Sequence, residues 1–549
     1  MKKNKVVFLF VLAVVVLIFA YGAFNHFKSG GKWADKTEKT NISKTGTNKQ
    51  NQNGALNLPD LFRFHAIFDQ SNEQVYSPFD TGFSGMSRFA IRIRELGGSV
   101  SINTRPLPDF LPKLKGKNTI LILGVAMYRA YQDSAVKAIK EYLHNGGSVF
   151  LMIEHDNLLG NAGFQNKLLQ EFDIRALPTS AIAQGTTPQA RFWPYCESTE
   201  FNLQKVQLFL PAPLEIADET FSLLKVSNPG NRKYTTVAVK RTIGRGTVIA
   251  LGDAEAAWNG FNLVGIDVAE NGAFIDQAFS LLAGIQDKTK NKTIPSRPAA
   301  ICKSDRSKRK ILIETGGYSF IPLVPGYSAI VSKFADYGCN IDLGGADTID
   351  YKGYDLVVVM NPLSAEGLSR NILQADKVLV AGDGQSSYLE TKEIKNFLEK
   401  MSGQQVTEAA YPLNVLLAEE GLKFSSSTLV TEQVLNGYFT HFQVPAELDR
   451  TTIDLNRAAV LDVDAASYSI LAESGGRSWP STNITPKQVG RKPVKPFIPP
   501  EGTVFDGYPV IAKSEKILAI SDITLLNDAS MSDDSGKALF SHIIDWLED

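Results

Sequence analysis

Apolar and polar positions divide the chain into an apolar opening, a polar stretch, and two long regions where short apolar runs alternate with amphipathic ones. In the first long region HAIFD (65–69), SVSINT (99–104), NTILILGV (118–125) and SVFLMIEHD (148–156) read as strands. The last two are nearly continuous apolar runs, as expected of parallel strands covered on both faces. SGMSRFAIRIRELGG (84–98) sets Met86, Phe89, Ala90, Ile93 and Leu96 at helical spacing, and Gly97-Gly98 stops the pattern. DSAVKAIKEYLHNGG (133–147) predicts another helix, opened by Asp-Ser and closed by Asn-Gly-Gly.

The second long region repeats the order. KILIETGG (310–317), NIDLGG (340–345), DLVVVMN (355–361), KVLVAGDG (377–384) and KILAIS (516–521) predict strands. Helices are expected over 327–338, 366–374, 391–403 and 537–549. Strand–helix alternation of this kind argues for a doubly wound, flavodoxin-like α/β sheet. The regions also match in detail. TGFSGMSRFA (81–90) aligns with PGYSAIVSKFA (325–335), and YTTVAVKRTIGRGTVIALGD (234–253) with YPVIAKSEKILAISD (508–522). Matches at both ends, in the same order, predict one α/β module occurring twice.

Residues 6–24 form an uncharged apolar run after Lys2, Lys3 and Lys5. At about 1.5 Å per residue such a helix covers the roughly 30 Å hydrocarbon core of a bilayer. Basic residues stay inside, so the expectation is an uncleaved, single-pass anchor in the cytoplasmic membrane with the body outside, in the periplasm or at the cell surface. No cysteine follows the run, which excludes a lipoprotein anchor. The expected organisation is a cytoplasmic tip and anchor (1–27), a flexible Gly/Lys/Asn/Thr-rich stalk (28–57), a first α/β domain (58–286), a basic linker (287–309) and a second α/β domain (310–549).

Hydrophobic residues make up 44% of the chain and charged ones 21%, enough to bury large cores, while a net charge of −1 gives no global attraction for nucleic acid. The cysteines, Cys196, Cys302 and Cys339, are widely spaced and form no CxxC or Cys/His cluster, so neither a structural zinc site nor any other cofactor is expected.

The Gly-aromatic-Ser helix start, the LHNGGSVFLMIEHD strand and the GRGTVIALGD close together resemble class I glutamine-amidotransferase-like domains. More closely, they resemble a membrane-anchored bacterial family of unknown function and the extracytoplasmic component of gliding-motility-type ABC transporters. The GRGTVIALGD close is also similar to trehalose-utilisation-type domains. The resemblance implies two tandem amidotransferase-like domains and membrane-protein or ABC-transporter partners.

Amidotransferases carry a nucleophilic Cys in a Gly-x-Cys-x-Gly elbow. The corresponding strand ends here, MIEHDNLLG and VAGDGQSSY, contain none. Ser386 and Ser387 could pass for a serine elbow, but no His follows a nearby strand; His441 and His542 lie elsewhere. Glu154, His155 and Asp156 end a central strand, where open α/β sheets bind ligands, and Asp253 should end on the same edge. Glu154, His155 and Asp253 are therefore the catalytic candidates, able in principle to hold a divalent metal or run acid–base hydrolysis. Asp69, Gly82, Ser84, Asp156, Asn259, Asp383 and Asp522 are candidate ligand-binding positions. Gly82 and Gly326 precede helices outside any nucleotide-binding motif. The plainer expectation for Asp253 and Asp522 is a latch that accepts backbone N–H bonds and stays ionised. RKPVKPFIPPEG (491–502) reads as an exposed loop, and Phe192, Trp193, Tyr195 and Trp479 as aromatics in long connections, covered by loops. The expected function is an extracytoplasmic binding or scaffolding protein without catalysis; the alternative is a metal- or carboxylate-dependent hydrolase of envelope glycan or peptide.

Overall fold

The computed structural model describes residues 62–549 except 73, 75, 115–117, 126–129, 231–234, 261–263, 286–297, 306–308, 346–348, 385–395, 397–398, 400–404, 406–409, 432–442, 482–498 and 500. The expected anchor (6–24) and stalk, Ser386, Ser387, His441, nearly all of the 391–403 helix and most of the 491–502 segment lie outside the described residues. No helix among the described residues is long and apolar enough to cross a membrane.

The protein is an α/β chain with two large mixed sheets. In the first half the strands are β1 (Phe64–Asp69), β2 (Gly98–Asn103), β3 (Thr119–Leu123), β4 (Ser148–Met152), β5 (Ile174–Ala176), β6 (Tyr195–Ser198), β7 (Leu203–Gln207), β8 (Leu214–Ile216), β9 (Ser222–Val226), β10 (Thr236–Ile243) and β11 (Gly246–Leu251). Nine of them form one sheet in the order β2-β1-β3-β4-β11-β10-β9-β6-β7. The neighbours from β2 to β11 pair parallel, and the remainder antiparallel.

The second half contributes β12 (Ala299–Cys302), β13 (Lys310–Glu314), β14 (Asn340–Gly344), β15 (Leu356–Met360), β16 (Lys377–Ala381), β17 (Leu422–Thr431), β18 (Gln443–Leu448), β19 (Thr451–Asn456), β20 (Ala459–Val463), β21 (Ser469–Ser474), β22 (Ser478–Ser481), β23 (Pro509–Lys513) and β24 (Ile517–Ile520). Its large sheet runs β12-β14-β13-β15-β16-β24-β23-β21-β18-β19. From β14 to β24 the pairing is parallel, and beyond it antiparallel. Apart from the extra edge strand β12, this is the order and polarity of the first sheet. Part of the stretch expected to be linker is therefore sheet: β12 pairs antiparallel with β14.

Alternation within each strand sends side chains to opposite faces, and the cores follow. Phe64, Ala66 and Phe68 pack with Phe89, Ile93, Phe274 and Phe279 from helices Ser87–Glu95 and Asn271–Leu282. Ile67, Leu121, Leu123, Val149 and Leu151 pack on the other face with helix Asp133–His144. That helix starts differently from expectation: Gln132 occupies the N-cap without a side-chain hydrogen bond, while Asp133 reaches Lys167 at 2.7 Å. The cysteines are free, and Trp193 and Trp479 are buried while Tyr195 is exposed.

The two sheets meet in one apolar cluster. Phe79 packs edge-to-face on Phe320 at 5.4 Å. Beside them the buried Arg94 guanidinium donates Nη1 to the carbonyls of Ser319 (2.8 Å) and Tyr318 (3.4 Å), with Nε and Nη2 unpartnered.

Candidate functional site

Glu154 stands two residues beyond β4 and Asp253 two beyond β11, and these strands pair parallel. Both carboxylates consequently reach the same sheet edge. The chain turns sharply after Glu154, with Asp156 (φ 48°) and Asn157 (φ 54°) both left-handed. Asp and Asn tolerate that region better than other side chains. The Asn161 side chain fixes the strand end by accepting from Glu154 N at 2.7 Å.

The turn brings His155 against a residue the sequence reading did not select, Glu255. Ligand atoms of Glu154, His155 and Glu255 lie within 4.8 Å of one another, and all three residues are buried. His155 Nε2 is 3.8 Å from Glu255 Oε1, and Nδ1 is 3.7 Å from Asp156 Oδ2. Phe209 closes the site edge-on to the imidazole at 5.3 Å, and Trp193 backs Phe209 at 4.8 Å. A signal for Glu255 was present: it is the one charge in an Ala-rich run, AEAAW, that must be buried for the turn to pack.

Asp253 is a latch. Its Oδ1 accepts from Glu255 N at 2.8 Å and its Oδ2 from Phe209 N at 2.6 Å. Burial works against the ionised form that these bonds favour. Burial raises its pKa well above the usual carboxylate range, helped by Glu255, and outweighs the lowering by Phe209 N–H. Burial likewise raises Glu154 and Glu255, which also interact with one another. For His155 burial alone would lower the pKa, but contact with Asp156 and the nearby Glu255 and Asp253 raise it.

The remaining candidates do not join this cluster. Asp69 ends β1, with β3 between it and β4, about 10 Å away at two strand spacings. Its Oδ1 accepts from Ser71 N, Ser71 Oγ and Asn103 Nδ2 at 2.8–3.2 Å, and burial pushes its pKa up to about 6. Gly82 and Ser84 lie buried in the turn before helix Ser87–Glu95, where Gly82 N donates to Asp80 Oδ1 at 2.8 Å. Asn259 fills that helix start: Oδ1 accepts from Arg88 N (2.8 Å), while Nδ2 donates to the carbonyls of Asp80 (3.0 Å) and Gly82 (2.7 Å). Close packing demands Gly85 in the same turn, since a Cβ there would sit 2.0 Å from Asp80 O. Asn259 is an internal cap, its amide committed to backbone.

In the second sheet Asp383 stands two residues beyond β16 and Asp522 two beyond β24, also parallel neighbours. Asp522 repeats the latch: Oδ1 accepts from Thr524 N at 2.8 Å, and Oδ2 from Asn456 N. Asp383 Oδ1 accepts from Ile523 N at 2.9 Å. Burial raises both carboxyls, opposed at Asp383 by the Ile523 N–H and the Arg457 charge. Asp528 takes the capping place of Asn259, accepting from Ala329 N at 2.7 Å, and Gly326 O receives Asp528 N.

No protein family matches the sequence, and no curated protein does. Among solved structures, the mmIFT52 N-terminal domain is 16% identical, with 40% of this chain covering 97% of that one at a TM-score of 0.33. A cytoplasmic protein of Salmonella typhimurium LT2 is 12% identical (40% of this chain, 99% of that one, TM-score 0.30). A ThuA-like protein from Bacteroides uniformis is 14% identical (44% and 99%, TM-score 0.26).

Proposed function

We propose that the chain is a membrane-anchored, extracytoplasmic binding or scaffolding protein of an envelope or ABC-transporter-type assembly. Its body would be two tandem amidotransferase-like domains that lack the nucleophilic cysteine. The carrying observation is that the latch carboxylate at each sheet edge faces inward and serves the backbone: Asp253 and Asp522 are at most 1% exposed and each accepts N–H groups from two chain segments. The repeated strand order supports the tandem reading. The apolar run after three lysines supports the anchor.

The test is cellular. Full-length protein should fractionate with membranes, its body should be protease-accessible from outside, and crosslinking in cells should yield a defined membrane protein. Glu154→Gln with His155→Gln should preserve that crosslink. A cytosolic body, or no membrane partner, would overturn the proposal.

The hydrolase reading retains one specific observation, the unpartnered Glu154 Oε2 and His155 Nδ1. It would be favoured if purified protein released soluble fragments from envelope glycan or peptide and the double variant did not.

A further inference from the structure

The sheet-edge clusters are built alike but compensated differently. Phe209 N and Asn456 N donate to corresponding latches, Asp253 and Asp522. Three residues further along, Ala212 N donates to Gly252 O and Ala459 N to Ser521 O, at the same offset from the latch. Leu210 (φ 45°) thereby corresponds to Arg457 (φ 64°), both left-handed. In the second sheet Arg457 is buried with its charge acting on Asp383, and Thr524 replaces the third acid, satisfying Asp522 through Oγ1 at 2.6 Å. In the first sheet the place of the guanidinium is taken by Leu210, while Thr524 gives way to Glu255 and Gly384 to His155.

The first cluster thus gathers Glu154, Glu255 and Asp253, with His155 its one basic neighbour among the described residues in contact. Two oxygens within it, Glu154 Oε2 and Glu255 Oε2, are buried and unpartnered, on side chains more than nine-tenths buried. Leaving such atoms unsatisfied costs about 1–3 kcal/mol each, more when charged.

We propose that Glu154, His155 and Glu255 form a buried site for one divalent transition ion, Zn2+ or Mn2+. The ligands are one imidazole nitrogen and carboxylate oxygens, a set suited to such ions rather than to Ca2+, which takes six to eight oxygens. Nε2 faces Glu255, so Nε2 is the ligand nitrogen. Asp156 Oδ2 lies on the Nδ1 side of the ring at 3.7 Å, a charge neighbour and not a hydrogen-bond partner. Asp253 is a positioning residue, because it fixes the backbone of Glu255 and Phe209 and spends both oxygens doing so. In the second sheet the ion's charge is replaced by Arg457.

The experiment uses full-length chain in detergent, stripped with chelator and titrated calorimetrically with ZnCl2 and with MnCl2. One ion should bind per chain. Glu255→Gln and Glu154→Gln should each weaken binding by about tenfold or more, since even second-layer residues commonly change affinity 10–100-fold. Asp522→Asn, at the equivalent place in the other sheet, should leave it unchanged. Co2+ loaded into the wild type should show an absorption spectrum altered by His155→Gln. Absence of stoichiometric binding to the wild type overturns the proposal whatever the variants do, as does wild-type affinity retained in both Gln variants. If a Gln variant does not fold by circular dichroism, the wild-type titration and the cobalt spectrum still decide.

Discussion

The sheet-edge clusters of the two halves share a latch and differ in what surrounds it. Asp253 and Asp522 occupy the same place after the same strand, and each ties its own turn to the segment leaving the far edge strand. Around Asp522 and its neighbour Asp383 the sequence supplies Thr524, which hydrogen-bonds Asp522, and Arg457, a fixed positive charge acting on Asp383. Around Asp253 it supplies Glu255, His155 and Leu210, more acid and a titratable base. The geometry of a strand end is evidently separable from its charge. A carboxylate can be kept for what its oxygens hold while its neighbours decide whether the pocket is neutral, cationic or ready for an ion.

The comparison breaks most severely if the latches are removed. Asp253→Ala and Asp522→Ala each strand two backbone N–H groups, at about 1–3 kcal/mol apiece, so each should lower stability by roughly 2–6 kcal/mol in urea denaturation. Near-equal losses would support equivalence; a negligible loss in either would break it. Exchanging the charge is next. Arg457→Leu copies the first cluster into the second, and the Asp383 carboxyl, followed by carbon-13 NMR, should rise further by about one pKa unit, or about 1.4 kcal/mol. No movement would mean Arg457 does not compensate that site.

The caps sharpen the picture on a smaller scale. Asp528→Ala should cost about 1 kcal/mol, the usual value for a helix N-cap. Asn259→Ala should cost more in the same denaturation assay, because its amide also serves the Asp80 and Gly82 carbonyls.

A pH slope should come from Asp69 and Glu314, which end the corresponding strands β1 and β13. Burial pushes Asp69 up to about 6 and Glu314 up to about 7. A folded chain that holds these protons more tightly than the unfolded chain is favoured at low pH. Stability should therefore fall as pH rises from about 4 through 7. Asp69→Asn should flatten the slope below pH 6 and Glu314→Gln below pH 7, read from melting temperatures across buffers.

Much of the strand pattern was legible because parallel strands covered on both faces are written as continuous apolar runs, such as TILIL and LVVVM. The latches were legible for a similar reason: an acid after a buried strand has a small set of uses. The upward pull of burial on them was not, since burial depends on Phe209 and on segments distant in sequence. Glu255 escaped because its role depends on a short turn that aims it at His155. Arg457 escaped because it reaches Asp383 only through the antiparallel extension, which no local periodicity announces. β12 was hidden in a basic stretch whose composition reads as solvated chain, although it completes a sheet edge.

The Arg94 seam has a mechanical consequence. A guanidinium shut between two apolar surfaces, held by carbonyls with no counter-ion in contact among the described residues, anchors the Tyr318–Ser319 segment to the helix of the other half, and the oily cluster around it runs unbroken across both. Prising the halves apart would wet that cluster all at once. Heating should therefore melt the body in a single calorimetric endotherm, and whatever load reaches one half is delivered to the other without a hinge.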